Sequence, residues 1–170
     1  DFSDAATAEV FGLPLAEIEG ADRIVVLGSN IRHELPLLHA RLRKAQTTKG
    51  AKIHVVNPVD FDFAFSIAGK QIVAPSKFVD ALASAELRSA VQGGNNTVLI
   101  VGGIAENHPQ AAAIRAAARD FAAATGAKLC RIPQGANAVG LTRAGVLPAG
   151  KDVAAMLAQP RQAYVVYGLE

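Results

Sequence analysis

The chain has 170 residues, 51% of them hydrophobic and 19% charged, and a net charge of +2 at pH 7. This length suffices for one domain with a substantial core, and the weak, scattered charge argues against nucleic acid or an anionic membrane as a partner. A single cysteine excludes a disulfide framework and a cysteine-bound cluster made by this chain alone. No apolar run approaches the roughly 20 residues of a membrane span, so we expect a soluble segment without direct membrane insertion.

The N-terminal stretch has no strong periodicity, and the sequence starts at Asp1 rather than at a methionine. We therefore expect a fragment of a longer subunit, with 1–20 as an arm or linker and 21–170 as the α/β core of a single domain. Some contacts of such an arm would lie outside the fragment.

The first half of the core begins with a strand, a glycine turn and a helix. The apolar run Arg23–Leu27 predicts a strand that ends at the turn Gly28-Ser29-Asn30. A helical stripe then covers 35–45, with a stop at Gly50, and the β-branched run 53–56 predicts a second strand.

The middle of the chain departs from this alternation. Phe61, Phe63 and Phe65 share one side of an extended run, where they either bury against another part of the parent subunit or close this domain's own core. The run 72–74 predicts a short strand, and Ser76 is the expected N-cap of the helix that follows it.

The second half repeats the order of the first. The strand Thr97–Val101 leads to the turn Gly102-Gly103 and an alanine-rich helix over 111–124, with Pro109 in its first turn and Asn107 or His108 as its cap. A strand at 129–132 follows, then a glycine-rich connection, a short helix capped by Asp152 and a last strand at 163–168.

The two glycine turns recur at a nearly constant offset. Gly28 and Gly102 are 102 − 28 = 74 residues apart, and Gly50 and Gly126, each of which starts a Gly-Ala-Lys triplet, are 126 − 50 = 76 apart. This repeat predicts a Rossmann-like, doubly wound α/β fold: a mostly parallel sheet of about five strands with helices on both faces and strands one and four adjacent.

The candidate site is an anion crevice formed by the two glycine turns. Glycine turns at the carboxyl ends of neighbouring strands can present backbone N–H groups to a phosphate. The candidate binding residues are Gly28, Ser29, Asn30, Gly102 and Gly103.

Nothing in the sequence supplies chemistry to this crevice. The G-x-G-x-x-G signature is missing, and Asn57 stands where a nicotinamide site would want an acid for the ribose. The four histidines are well separated, so we predict neither a metal site nor a catalytic residue. His33 and Glu34 are the only potential metal ligands near the crevice, and we interpret them as a polar helix start.

The segment 21–45 resembles the strand–G-[ST]-N–R-x-E-x-P–helix segment of the molybdopterin oxidoreductase superfamily. Within that superfamily it is most similar to the C-terminal region of the large iron–sulfur subunits of the NADH-quinone oxidoreductases, which belong to the peripheral arm of bacterial respiratory complex I. The stretches 50–58, 101–103 and 135–148 fit the same family. The resemblance implies that a missing N-terminal part carries iron–sulfur clusters that pass electrons from NADH to quinone.

In molybdenum enzymes of this superfamily, the G-[ST]-N turn helps to hold the molybdopterin guanine dinucleotide. The resemblance implies that the complex I subunits have lost this cofactor, so that Gly28, Ser29 and Asn30, with Asn57 at the second strand end, match a vestigial site. It further implies a non-catalytic structural or interaction domain whose partners are the remainder of its own subunit and other peripheral-arm subunits, on the cytoplasmic side of the inner membrane. The alternative is a cofactor-binding domain of an active molybdopterin or nicotinamide oxidoreductase.

Overall fold

A computed structural model of the chain describes residues 4, 7–146 and 153–165. The described part contains a single five-stranded sheet in which every neighbouring pair is parallel, in the order β3-β2-β1-β4-β5. The strands are β1 (Arg23–Leu27), β2 (Lys52–Asn57), β3 (Gly69–Ile72), β4 (Thr97–Val101) and β5 (Lys128–Arg131).

Helices lie in every connection between these strands except the one from β2 to β3, where residues 58–68 form no helix. Short 3-10 turns cover Leu15–Gly20 and Pro75–Lys77. The α-helices are α1 (Ile31–Glu34), α2 (Pro36–Lys49), α3 (Phe78–Ala83), α4 (Ala85–Val91), α5 (Gly103–Glu106), α6 (Ala111–Thr125), α7 (Ala138–Arg143) and α8 (Val153–Ala158). None of the helices within the described ranges is long and apolar enough to cross a membrane.

Each face of the sheet is covered by its own core. On one face, α2 packs against alternate residues of β1, β2 and β4, such as Ile24, Ile53 and Val98. On the other face, α3, α4 and α6 cover the residues that alternate with these, such as Val25 and Leu99. Strands buried on both sides explain the continuous apolar runs in the sequence, and the predicted doubly wound fold is confirmed.

The chain reverses direction across the sheet between β1 and β4. These strands pair in register from Arg23 opposite Thr97 to Leu27 opposite Val101, an offset of 97 − 23 = 74 residues that equals the spacing of the two glycines. The predicted adjacency of strands one and four is therefore confirmed. The carboxyl ends of two strands at such a reversal form the usual ligand crevice of an open α/β sheet.

The alanine-rich helix covers the predicted range, but its predicted cap and first turn are wrong. A separate short helix, α5, follows the second glycine turn directly, and α6 begins only at Ala111 with Gln110 at its N-cap position. Pro109 lies in the turn between the two helices, where His108 Nδ1 accepts a hydrogen bond from the backbone N–H of Gln110 at 3.1 Å. Neither Asn107 nor His108 caps α6.

The helix after β3 also differs from its prediction. Ser76 lies inside a 3-10 turn rather than at an N-cap, and Ser84 divides the helical stripe into α3 and α4. The Ser84 hydroxyl accepts the backbone N–H of Leu87 at 3.2 Å, so it is Ser84 that caps a helix here. The predicted strand at 72–74 begins three residues earlier, at Gly69, and ends at Ile72.

The C-terminal predictions are only partly within the described residues. The glycine-rich connection contains α7, which the sequence did not predict. Residues 163–165 are not in a strand, and the rest of the predicted strand at 163–168 lies outside the described residues, as does Asp152.

A buried ion-pair cluster joins the N-terminal stretch to the second half of the fold. The guanidinium of Arg115, on α6, is only 1% exposed and donates to Asp4 at 2.6 and 2.9 Å and to Glu106 at 3.2 Å. Glu106, at the end of α5, also accepts from Arg131 on β5 at 2.7 and 2.9 Å. Because a buried charge without a partner is costly, this cluster constrains α5, α6 and β5 to one arrangement.

The three phenylalanines after β2 lie against the domain's own core. Phe63 and Phe65 are both buried and stack with their ring centroids 5.4 Å apart, while Phe61 is half-buried against the same cluster. The interpretation that they close this core is therefore confirmed for Phe63 and Phe65. His39 on α2 holds the segment, because its Nε2 accepts the backbone N–H of Ala64 at 3.2 Å.

We expect His39 to make the stability of the fold depend on pH. Burial, together with the positive charges of Arg32 and Arg43, lowers the pKa of His39 below its usual 6.5. As the pH falls below 6.5, the unfolded chain takes up this proton before the folded chain does, and stability decreases by at most about 1.4 kcal/mol per pH unit. We expect His39→Gln, compared by urea unfolding at pH 7.5 and 5.5, to lose less stability than the wild type.

The matched control is His33→Gln, which makes the same change at an exposed position. This variant should show the wild-type pH dependence, including the part contributed by His54, whose pKa burial also lowers. An equal loss of stability in His39→Gln and wild type would show that His39 is not the titrating group.

Candidate functional site at the paired glycine turns

The two glycine turns lie side by side at the carboxyl edge of the sheet. Backbone hydrogen bonds join them directly: Gly102 N–H donates to the carbonyl oxygen of Leu27 and Ile104 N–H to that of Gly28, both at 2.9 Å. The predicted proximity of Gly28-Ser29-Asn30 and Gly102-Gly103 is therefore confirmed. These bonds also mean that two N–H groups of the second turn already have acceptors inside the protein.

Glycine is required at these turns because the chain segments approach closely. Gly28 has a φ of +60°, and a Cβ there would lie 2.8 Å from the Cβ of Ala105. A Cβ on Gly102 would collide with the Ser29 side chain and lie 2.8 Å from Glu34 Oε2. The space beside each turn is thus filled by protein atoms.

Asn57, at the end of β2, clamps the first turn. Its Oδ1 accepts the backbone N–H of Ser29 at 2.8 Å, and its Nδ2 donates to the Ser29 carbonyl oxygen at 3.1 Å. Both residues are fully buried. The amide of Asn57, which stands where a dinucleotide site would place an acid, is therefore used to hold the backbone of the turn.

Glu34 lies in the crevice itself. It is the last residue of α1, and its carboxylate reaches across to the second turn. Oε2 accepts the Ser29 hydroxyl at 2.5 Å, and Oε1 accepts the backbone N–H of Gly103 at 2.7 Å. The interpretation of Glu34 as a simple polar helix start is wrong, because its side chain accepts a hydrogen bond from Gly103, 69 positions away in the sequence.

Two side-chain amides extend this network: Gln134 in the glycine-rich connection bonds to the Glu34 carboxylate, and Asn107 at the end of α5 bonds to Gln134. Gln134 Nε2 donates to Glu34 Oε1 at 3.3 Å and to the Ile132 carbonyl oxygen at 3.0 Å. Asn107 Nδ2 donates to Gln134 Oε1 at 3.2 Å and to the Gly103 carbonyl oxygen at 2.9 Å. The crevice is thus lined by a continuous network of neutral donors around one acidic group.

The other polar groups near the turns take little part in this network. Asn30 is at the N-cap position of α1 but its side chain makes no capping hydrogen bond, and its Oδ1 is a buried atom without a partner among the described residues. His33 is exposed on α1. Arg32, also on α1, pairs instead with the exposed Asp62 at 3.0 Å.

The remaining titratable candidates are dispersed. His39 contacts the phenylalanine cluster, His54 is on β2 beside Gly69, and His108 lies in the turn before α6. Burial raises the pKa of the Cys130 thiol to about 11, so it is neutral at physiological pH. Within the ranges that the structure describes, no three His, Cys, Asp or Glu side chains come together as metal ligands do.

The sequence of this chain matches a known protein family. A family model described as "Molybdopterin oxidoreductase" matches residues 2–168. The chain is also similar to the mitochondrial NADH-ubiquinone oxidoreductase 78 kDa subunit of Neurospora crassa, with 32% identity over 109 residues. That match covers 64% of this chain but only 14% of the relative's length.

We predict that Gly102→Ala destabilises the domain by about 1–3 kcal/mol, because the added Cβ forces apart Ser29 and the Glu34 carboxylate. The matched control is Gly20→Ala, where the nearest atom to an added Cβ is 3.8 Å away. The control should change stability by less than about 1 kcal/mol. Equal free energies of unfolding for the two variants, measured by urea denaturation, would show that the turns are not closely packed.

Proposed function

The chain belongs to the molybdopterin oxidoreductase family, and we propose that it serves as a structural, non-catalytic domain of a larger subunit of a respiratory NADH-quinone oxidoreductase. The likeness to the 78 kDa subunit of an NADH-ubiquinone oxidoreductase supports the type of parent complex. The buried Asn57 clamp on Ser29 is the observation that carries the proposal for this domain.

The hydrogen bonds between the Asn57 side chain and the Ser29 backbone support a structural role, because they occupy groups that would otherwise bind a nucleotide. A phosphate at a glycine turn is bound by free backbone N–H groups, and a ribose by an acid at the end of the next strand. Here the Ser29 N–H donates to Asn57, and the Asn57 amide has no negative charge to offer a ribose hydroxyl. The N–H group that would bind a phosphate and the side chain at the ribose position are thus both used within the protein.

The residues of the crevice also do not fit the pyrophosphate of a pterin dinucleotide. The Glu34 carboxylate lies between Ser29 and Gly103, where a phosphate oxygen would have to bind. A second anion at this distance would be repelled rather than stabilised. We therefore propose that this chain keeps the fold of the family but does not bind the family's cofactor.

In this proposal the domain's partners are the remainder of the same polypeptide and the neighbouring subunits of the peripheral arm of the complex. Electron transfer from NADH to quinone would use iron–sulfur clusters held elsewhere in that polypeptide, on the cytoplasmic side of the membrane. This domain would contribute a rigid surface to the assembly.

Calorimetric titration of the protein with NADH, GTP and phosphate tests the proposal. We expect no NADH or GTP binding tighter than about 1 mM, because the N–H donors are satisfied and Glu34 repels anions. Changes in the NMR chemical shifts of the backbone amides of Gly28 and Gly102 would show whether any weak binding detected by calorimetry takes place at the crevice.

NADH or GTP binding at micromolar or lower Kd, with shifts at those glycines, would contradict the proposal. It would favour the alternative, a cofactor-binding domain of an active molybdopterin or nicotinamide oxidoreductase. Binding with shifts confined to other residues would leave the crevice closed but would show a separate nucleotide site, which also contradicts a purely structural domain.

A further inference from the structure

We propose that Glu34 is a resident anion that closes the glycine crevice, so that its carboxylate occupies a site which would otherwise take a small oxyanion. This inference rests on the proposed function, because it explains how the domain keeps the crevice without an external ligand. It concerns one side chain, however, and can fail independently of the structural role.

The three donors around the carboxylate are arranged as donors around a bound oxyanion are. The Ser29 hydroxyl donates to Oε2 at 2.5 Å, while the Gly103 backbone N–H and Gln134 Nε2 donate to Oε1 at 2.7 and 3.3 Å. They come from three separate elements: the turn after β1, the start of α5 and the segment after β5. Hydrogen bonds to an ionised acceptor are stronger than those between neutral groups, so the network stabilises a negative charge at this point.

The negative charge of Glu34 is stabilised by hydrogen bonds from these neutral donors and, within the part of the chain that the structure describes, not by an ion pair. Among the described residues, every ion pair with a Lys or Arg partner involves another carboxylate, such as Glu19, Asp62 or Glu106. Moving a carboxylate at a helix end from water into this crevice would not be favourable unless hydrogen-bond donors were already in place there. The backbone geometry of the glycine turns supplies them.

The shape of the crevice matches the carboxylate as well. A Cβ on Gly102 would lie 2.8 Å from Glu34 Oε2, and one on Gly103 would lie 3.0 Å from Oε1. Both glycines therefore leave room for the two carboxylate oxygens. Removing the side chain beyond Cβ would leave a space of carboxylate size lined by a hydroxyl and two N–H donors.

Glu34→Ala should convert this closed crevice into an anion site. The experiment is thermal unfolding of the wild type and Glu34→Ala in sodium phosphate and in sodium chloride of equal ionic strength, at pH 7. Glu17→Ala, an exposed position, is the matched control because it removes the same charge. It also measures the general stabilisation that phosphate gives to any folded protein.

We expect a saturable rise in Tm for Glu34→Ala, of about 3–6 °C at a phosphate concentration ten times Kd, above the change in Glu17→Ala. The wild type should respond as the control does. No excess rise in Glu34→Ala would overturn the proposal, and so would an equal rise in the wild type, since the crevice would then be open with Glu34 present.

Glu34→Gln keeps the proposal testable if the alanine variant does not fold. Its amide oxygen can still accept from Gly103 and its amide nitrogen can donate to the Ser29 hydroxyl oxygen, so the crevice stays filled without the charge. We expect no phosphate response and an upfield shift of the Gly103 amide proton relative to wild type, because the hydrogen bond is no longer to an anion. An unchanged Gly103 shift would overturn the inference. Tight NADH binding by the wild type would instead overturn the proposed function.

Discussion

The hydrogen bonds between the Asn57 side chain and the Ser29 backbone are the constraint on which the rest of the crevice depends. They fix the turn that follows the central strand, at the point where the sheet reverses its direction. With the turn fixed, Gly28 packs against Ala105 and its carbonyl oxygen accepts the N–H of Ile104. A buried amide with both polar atoms satisfied is rigid, since moving it would leave Ser29 unpaired in a dry environment.

The same constraint is the basis of our proposal that a ligand-binding fold serves here as a structural domain. A glycine turn beside a helix start has N–H groups that need acceptors, and an external phosphate is only one way to provide them. In this chain the acceptors are the Asn57 amide, the Glu34 carboxylate and strand carbonyl oxygens. The fold therefore retains the shape of a ligand crevice while each of these donors is satisfied within the protein.

The fold was largely predictable because apolar runs and glycine positions report local backbone geometry. The repeat at 74 residues located β1 and β4 as neighbours, and it did so because both strands are buried and both end at a glycine turn. The site was less predictable. Sequence spacing carries no information on the bond from Glu34 to Gly103, or on the ion pair from Asp4 to Arg115 across 111 positions. Helix caps were misplaced because a sequence pattern shows which residues suit a cap but not which one is used: the N-cap positions are Lys77 for α3 and Gln110 for α6.

Amide hydrogen exchange at Ser29 tests the central claim most directly. We predict that the Ser29 N–H exchanges as slowly as the amides of β1 and β4, although it lies in a turn, and that added NADH does not change its rate. Asn57→Ala should remove this protection while the amides of β4 keep theirs. A Ser29 amide that exchanges at the rate of the exposed loops in the wild type would contradict the closed crevice, because its donor would then be free for a ligand.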